Sequence, residues 1–196
     1  MKLILASSSP RRAEILRNAG FAFESRASRV DESLLAHESS EDYVRRLALA
    51  KARAVAQDEL TFDETKFVLG ADTVVVVEGQ LLGKPSGADD ARRMLHTLNG
   101  KTHEVLTGIS ILSVPEGPEA HHVATTRVTF LPLSDETIES YIASGEPFDK
   151  AGAYGIQGVG GRFVRKIEGC YFNVMGLPLS QVWTILQTFG WTDLAL

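Results

Sequence analysis

The chain has 196 residues, 44% hydrophobic, 23% charged and 8% aromatic, which suits one domain with a sizeable core. Twenty basic against twenty-five acidic residues give a net charge of −5, which argues against a dedicated duplex-DNA binder. A lone cysteine, Cys170, excludes an intramolecular disulfide framework and points to a reducing compartment. The charge is unevenly spread: residues 1–53 hold ten basic and seven acidic residues, net +3, which leaves −8 for the other 143. A basic region on an acidic chain suits a small anionic ligand better than a polymer.

Lys2–Ala6 is a short apolar run that reads as a strand. It is far below the ~7–15 residues of a signal-peptide core or the ~20 of a membrane span, so a soluble, cytoplasmic protein is expected, with no membrane and no nucleic acid as partner. Ser7-Ser8-Ser9-Pro10 follows, and a helix is predicted from Pro10 to Gly20, with Ser9 as N-cap and Pro10 at the first helical position. Phe21–Arg29 reads as a second strand that leads into the acidic loop Val30–Ser33. Ser39-Ser40-Glu41-Asp42 starts a strong helix to about Gln57, with acids where the helix dipole favours them. Phe67–Val77 is a valine-dense buried strand ending in the turn Glu78-Gly79-Gln80.

A further helix is predicted from Ser86 to about Leu98, stopped by Asn99-Gly100. His103–Val114 and Ala120–Leu131 are β-rich runs joined by Pro115-Glu116-Gly117-Pro118, a hairpin. Ser134-Asp135-Glu136 caps a helix to about Ser144, residues 151–161 carry five of the seventeen glycines, Phe163–Glu168 is a strand and Pro178–Phe189 a last helix. Strands and helices mixed with a long hairpin predict an α/β fold on a mixed sheet.

Several residues point to chemistry. Ser7-Ser8-Ser9-Pro10-Arg11-Arg12 brings hydroxyls, free helix N–H groups and two guanidiniums to one spot, the means by which proteins hold phosphate. Two arginines in a first turn oppose the helix dipole, so helix stability gives no reason for them. Lys51 lies on the apolar stripe of its helix, with Leu47 and Val55 four residues to either side. It either snorkels to water or aims its ammonium at a bound anion. If it reaches a bound phosphate, Lys51→Met should suit the stripe and leave stability equal or higher while activity is lost.

Asp72, embedded in the valine-rich strand, needs a cation or several donors beside it. It reads either as a structural ion pair or as a metal ligand or general base. Lys84-Pro85 adds an ammonium after the following turn, Glu32 a second carboxylate, and Gln157 an amide within a Gly-rich segment that permits close backbone approach. The chain has no P-loop, nucleophile elbow, H-E-x-x-H or paired C-x-x-C motif, and its five histidines have no zinc spacing.

Together Ala6–Arg12, Lys51-Ala52, Gly70-Ala71-Asp72-Thr73, Lys84-Pro85, Gly145-Glu146-Pro147, Asp149–Gly158 and Gly176-Leu177-Pro178-Leu179 resemble the Maf family of nucleoside triphosphate pyrophosphatases, nearly end to end. The resemblance implies one domain over 1–196. Its fold would be an elongated mixed β-sheet with flanking helices and a cleft between two lobes, similar to the inosine triphosphatase fold. It implies hydrolysis of a nucleoside triphosphate to monophosphate and pyrophosphate with a divalent metal, Mg²⁺ or Mn²⁺, in the cytoplasm; many family members are homodimers, so a second copy is a candidate partner. Family members acting on dTTP and UTP carry the residue types found here at Arg11, Thr73 and Gln157. The branch acting on 7-methyl-GTP tends to carry tryptophan, glutamine and glutamate.

On this reading Asp72 is the general base, and Asp72 and Glu32 hold the metal. Ser8, Arg11, Arg12 and Lys51 take the triphosphate, Lys84 assists the departing pyrophosphate, and Arg11, Thr73 and Gln157 select the base. The alternative is a non-catalytic nucleotide-binding regulator of cell division acting through a protein partner, which has no need of a buried base. A nucleotidyltransferase would need an acceptor pocket that the sequence does not reveal.

Overall fold

The computed structural model describes residues 1–59 and 64–192. In chain order the elements are β1 (Lys2–Ala6), α1 (Pro10–Asn18), β2 (Phe23–Ser25), α2 (Ser40–Ala56), β3 (Lys66–Val77), β4 (Gln80–Leu82), α3 (Ala88–Leu98), β5 (Thr102–Val114), β6 (Glu119–Phe130), α4 (Asp135–Ala143), β7 (Val164–Glu168), α5 (Tyr171–Met175) and α6 (Leu179–Thr188). Among the described residues the strands form a seven-stranded sheet in the order β2-β1-β3-β5-β6-β7, with β4 paired to β3. β1 runs parallel to β2 and β3, whereas β3–β4 and β6–β7 are antiparallel, so the sheet is mixed, as expected. No helix among the described residues is long and apolar enough to cross a membrane.

The chain divides into two compact units, Met1–Asp72 with Thr107–Ala124 and Gly176–Leu196, and Thr73–Leu106 with Thr125–Met175. In the first, Leu3–Ala6 are all buried, as a strand flanked by two parallel neighbours must be. Ser39 caps α2 by accepting a hydrogen bond from the Asp42 N–H, and the stripe Val44, Leu47, Ala48, Ala52 and Val55 is buried. Two glycines let this helix rest directly on strand backbone. A Cβ at Gly70 would lie 2.1 Å from the Ala48 carbonyl oxygen and 2.7 Å from the Ala52 nitrogen; one at Gly108 would lie 2.3 Å from the Val44 oxygen. Any side chain at either position would lift α2 off the sheet.

The second unit packs α3 and α4 residues, Leu95, Leu98, Ile138 and Tyr141, with Val75, Val77, Phe130, Tyr154 and Phe163. His103 lies buried on β5, edge-on to the rings of Phe130 and Tyr154.

Three local readings change. Ser9 makes no side-chain cap; its own N–H instead donates to Ser7 Oγ, and Pro10 alone starts α1. β2 covers only Phe23–Ser25, because it is an edge strand and Arg26, Ala27 and Arg29 are exposed with no apolar face to bury. Gln80 belongs to β4, since Glu78 and Gly79 alone, both at positive φ, make the two-residue turn that matches strand twist. The Gly-rich segment contains short 3-10 turns, Ala151–Ala153 and Val159–Phe163, and α5 has no counterpart in the sequence reading.

Candidate functional site

Register places the first set of residues. β1 pairs with β3 so that Ala6 faces Gly70, which sets Ser7, just past the end of β1, beside Ala71 in the middle of β3. Arg12 on α1 closes that end. Its Nε donates to the Gly176 carbonyl at 2.8 Å, and its Nη1 donates to the Ala71 carbonyl at 2.9 Å and to Ser7 Oγ at 3.2 Å. Three chain segments are thus tied by one buried guanidinium. Burial lowers Arg12 from its ordinary value, while Asp72 and Glu32 pull it back up.

Asp72 ends the first segment of this unit, and the close approach at Gly70 sets what faces it. With α2 seated on Gly70 through Ala48 and Ala52, Lys51 of the same helix reaches Asp72. The ammonium lies 2.6 Å from Asp72 Oδ1 and 2.7 Å from Glu32 Oε1. Lys51 therefore does not snorkel to water; it bridges two carboxylates. Glu32 reaches in from an exposed loop that α2 holds down. Tyr43 Oη donates to the Glu32 carbonyl, and Arg46 donates to the Ser33 carbonyl and to both oxygens of Glu38. Tyr43 and Arg46 had no sequence signal beyond their place on the helix, two turns and about one turn before Lys51.

The first unit thus brings together Arg12, Lys51, Asp72 and Glu32, with Arg11 half-buried in the first turn of α1 and Ser8 exposed in the loop before it. The other three residues belong to the second unit. Thr73 is half-buried on β3, and Lys84 is exposed in the loop after β4, where Gly83 accepts the Gly152 N–H. Gln157 is exposed at a turn in the Gly-rich segment.

The donor set fits a hard divalent cation. Asp72 and Glu32 already converge on one positive charge, Lys51, and carboxylate oxygens are the ligands that Mg²⁺ and Mn²⁺ prefer. Among the described residues no group of three or more His, Cys, Asp or Glu side chains offers a full protein cage. Asp72 and Glu32 are the residues that would hold such an ion.

The family model described as Maf-like protein matches residues 2–189. The chain is 54% identical to a dTTP/UTP pyrophosphatase of Moorella thermoacetica over 96% of this chain and 95% of that protein. It is 50% identical to one of Geotalea uraniireducens, over 96% and 95%, and 47% identical to one of Carboxydothermus hydrogenoformans, over 97% and 100%. Among solved structures the Ham1 protein of Staphylococcus aureus is 13% identical, covering 66% of this chain and 72% of that one at a TM-score of 0.42, a likeness too slight to carry any argument.

Proposed function

The chain belongs to the Maf family, and from that premise we propose that it hydrolyses dTTP and UTP to the nucleoside monophosphate and pyrophosphate. The observation that carries the reading is the cluster where β1 ends beside the middle of β3, in which one ammonium sits between two carboxylates beside a buried guanidinium. Its residues lie in a chain about half identical, over nearly its whole length, to proteins named for that activity.

Each residue then has a task. Asp72 takes a proton from water as the water oxygen bonds to the α-phosphorus, and the bond from that phosphorus to the bridging oxygen of pyrophosphate breaks. Lys51 holds Asp72 and Glu32 in place in the free protein and turns to phosphate when substrate arrives. Arg12 positions Asp72 through the carbonyl of the neighbouring Ala71 and adds positive charge beside it. Arg11 and Ser8 meet the phosphates from the loop and first turn of α1, and Lys84 meets the departing pyrophosphate. Asp72 and Glu32 would hold Mg²⁺ or Mn²⁺, which when bound neutralises phosphate oxygens and lowers the pKa of water.

Base selection falls to Arg11, Thr73 and Gln157. Thymine and uracil share the edge O2, N3–H, O4, to which the Gln157 amide offers both an acceptor and a donor. Cytosine inverts two of those three groups, and a site built on polar partners rejects what leaves them unpaired. A cytoplasmic place of action suits the free thiol of Cys170.

The test is hydrolysis of dTTP with Mg²⁺ in ¹⁸O-labelled water. One labelled oxygen in dTMP, with pyrophosphate unlabelled, is the expected result. Release of orthophosphate and dTDP would overturn the reading.

A further inference from the structure

The Gly145-Glu146-Pro147 motif has no part in the chemistry above, yet the Glu146 carboxylate accepts two backbone N–H groups and a hydroxyl. Its Oε2 accepts the Val159 N–H at 2.8 Å, and its Oε1 accepts the Gly160 N–H at 3.1 Å and the Tyr141 hydroxyl at 2.9 Å. The same Tyr141 oxygen accepts the Gly155 N–H at 3.0 Å. Gln157 stands midway. Two residues before it the backbone is fixed to Tyr141, and two and three residues after it the backbone is fixed to Glu146.

The glycines of this segment are required by that wrapping. A Cβ at Gly158 would lie 2.4 Å from each carboxylate oxygen of Glu146, and one at Gly160 would lie 2.6 Å from the Tyr141 oxygen. The chain passes so close to the carboxylate that no side chain fits between them. Lys150 adds a further tie, donating from Nζ to the Glu146 carbonyl at 2.8 Å. Burial raises the Glu146 carboxyl, but the Gly160 and Val159 N–H groups, Tyr141 and Lys150 outweigh it and hold the group below its ordinary value. It is ionised at neutral pH.

We infer that Glu146 is a positioning residue for base selection, its carboxylate folding residues 155–160 into the loop that presents the Gln157 amide. The inference rests on the reading of Gln157 as a base-selecting residue. It makes Glu146 act on which nucleotide is chosen, whereas Asp72 and Lys51 act on how fast it is cleaved.

The test compares Glu146→Gln, Tyr141→Phe and Gln157→Ala with the unsubstituted protein. Glutamine keeps the size of Glu146 but turns one of its two acceptors into a donor facing an N–H. In Glu146→Gln the ratio of kcat/KM for dTTP to that for CTP is expected to fall about tenfold, through a higher KM for dTTP with kcat little changed. Tyr141→Phe moves the ratio the same way and by less, and serves alone if Glu146→Gln does not fold. Amide exchange across 155–160 speeds up in both, with that of 67–75 unchanged. A merely structural role would lower activity toward all nucleotides in proportion and leave the ratio as it was.

If Gln157→Ala lowers the ratio while folded Glu146→Gln and Tyr141→Phe leave it unchanged, the role of Glu146 is refuted and that of Gln157 stands. A ratio unmoved in Gln157→Ala refutes both.

Discussion

Lys51 Nζ lies 2.6 Å from Asp72 Oδ1, with the two side chains only 10% and 11% exposed. The pair exists because Gly70, two residues before Asp72, lets α2 settle on β3 at Ala48 and Ala52, one turn of helix that includes Lys51. A close backbone approach, an interior lysine and an embedded carboxylate are therefore one feature. Glu32 makes it a three-charge cluster with net charge −1, and Arg12 beside it brings the sum to zero. Substrate and metal then exchange charge with a balanced site.

Removing the base should stop the chemistry and spare the fold. In Asp72→Asn the amide oxygen still accepts from Lys51, and Lys51 keeps Glu32, so no buried charge is orphaned. The expected loss in kcat is at least ~10²-fold, the lower range for a general base. Turnover near that of the unsubstituted protein at saturating Mg²⁺ would make Asp72 a structural residue.

For Lys51 the structure reverses the expectation that the apolar stripe suggests. Lys51→Met fits the stripe but leaves Asp72 buried without its cation, and breaking one side of a buried pair costs about 3 kcal/mol or more. The variant should be less stable in urea, with activity lost. Lys51→Met combined with Asp72→Asn should recover most of that stability and none of the activity. A single variant as stable as the unsubstituted protein would show that the pair does not hold the first unit together.

Acid should weaken the second unit through His103. Burial lowers its pKa from 6.5 to about 4, and among the described residues its Nδ1 has no hydrogen-bond partner, while Nε2 meets Tyr154 Oη at 2.9 Å. The unfolded chain therefore binds more protons than the folded one between those two values. Stability is complete above pH ~6.5, falls as pH drops toward ~4, and is level below, a change of about 3 kcal/mol at most from this group. Thermal melts between pH 7 and 4.5 should show the slope, and His103→Phe should flatten it even though Tyr154 loses its partner. An equal slope in that variant would assign the acid sensitivity to other groups.

The elements were largely legible in the sequence, because apolar periodicity and capping residues are local. Ser39 and Ser134 cap the helices they precede, Lys51 is on the buried face its spacing predicts, and the valine run is β3. What was not legible depends on contacts between distant segments. Lys51 and Asp72 each carried an unanswered charge when read alone, and only the Gly70 approach shows that they answer each other. The bonds of Arg12 to Ser7, Ala71 and Gly176, the last 164 residues away, likewise join segments that the sequence keeps apart. Ser9 looked like a cap because it precedes Pro10, but its hydroxyl makes no cap hydrogen bond. Glu146 stood in a motif with no visible task, since the N–H groups it accepts lie 13 and 14 residues on, across a glycine segment without periodicity.

The most direct measurement of the central claim is kcat/KM for dTTP, UTP, CTP, ATP and GTP with Mg²⁺, each reaction followed by release of pyrophosphate. The account expects dTTP and UTP well above the other three, because the selecting groups match the O2, N3–H, O4 edge that only thymine and uracil present. Gln157→Glu, which removes the amide donor, should narrow the gap. A purine triphosphate as the best substrate, or CTP cleaved as well as dTTP, would contradict it.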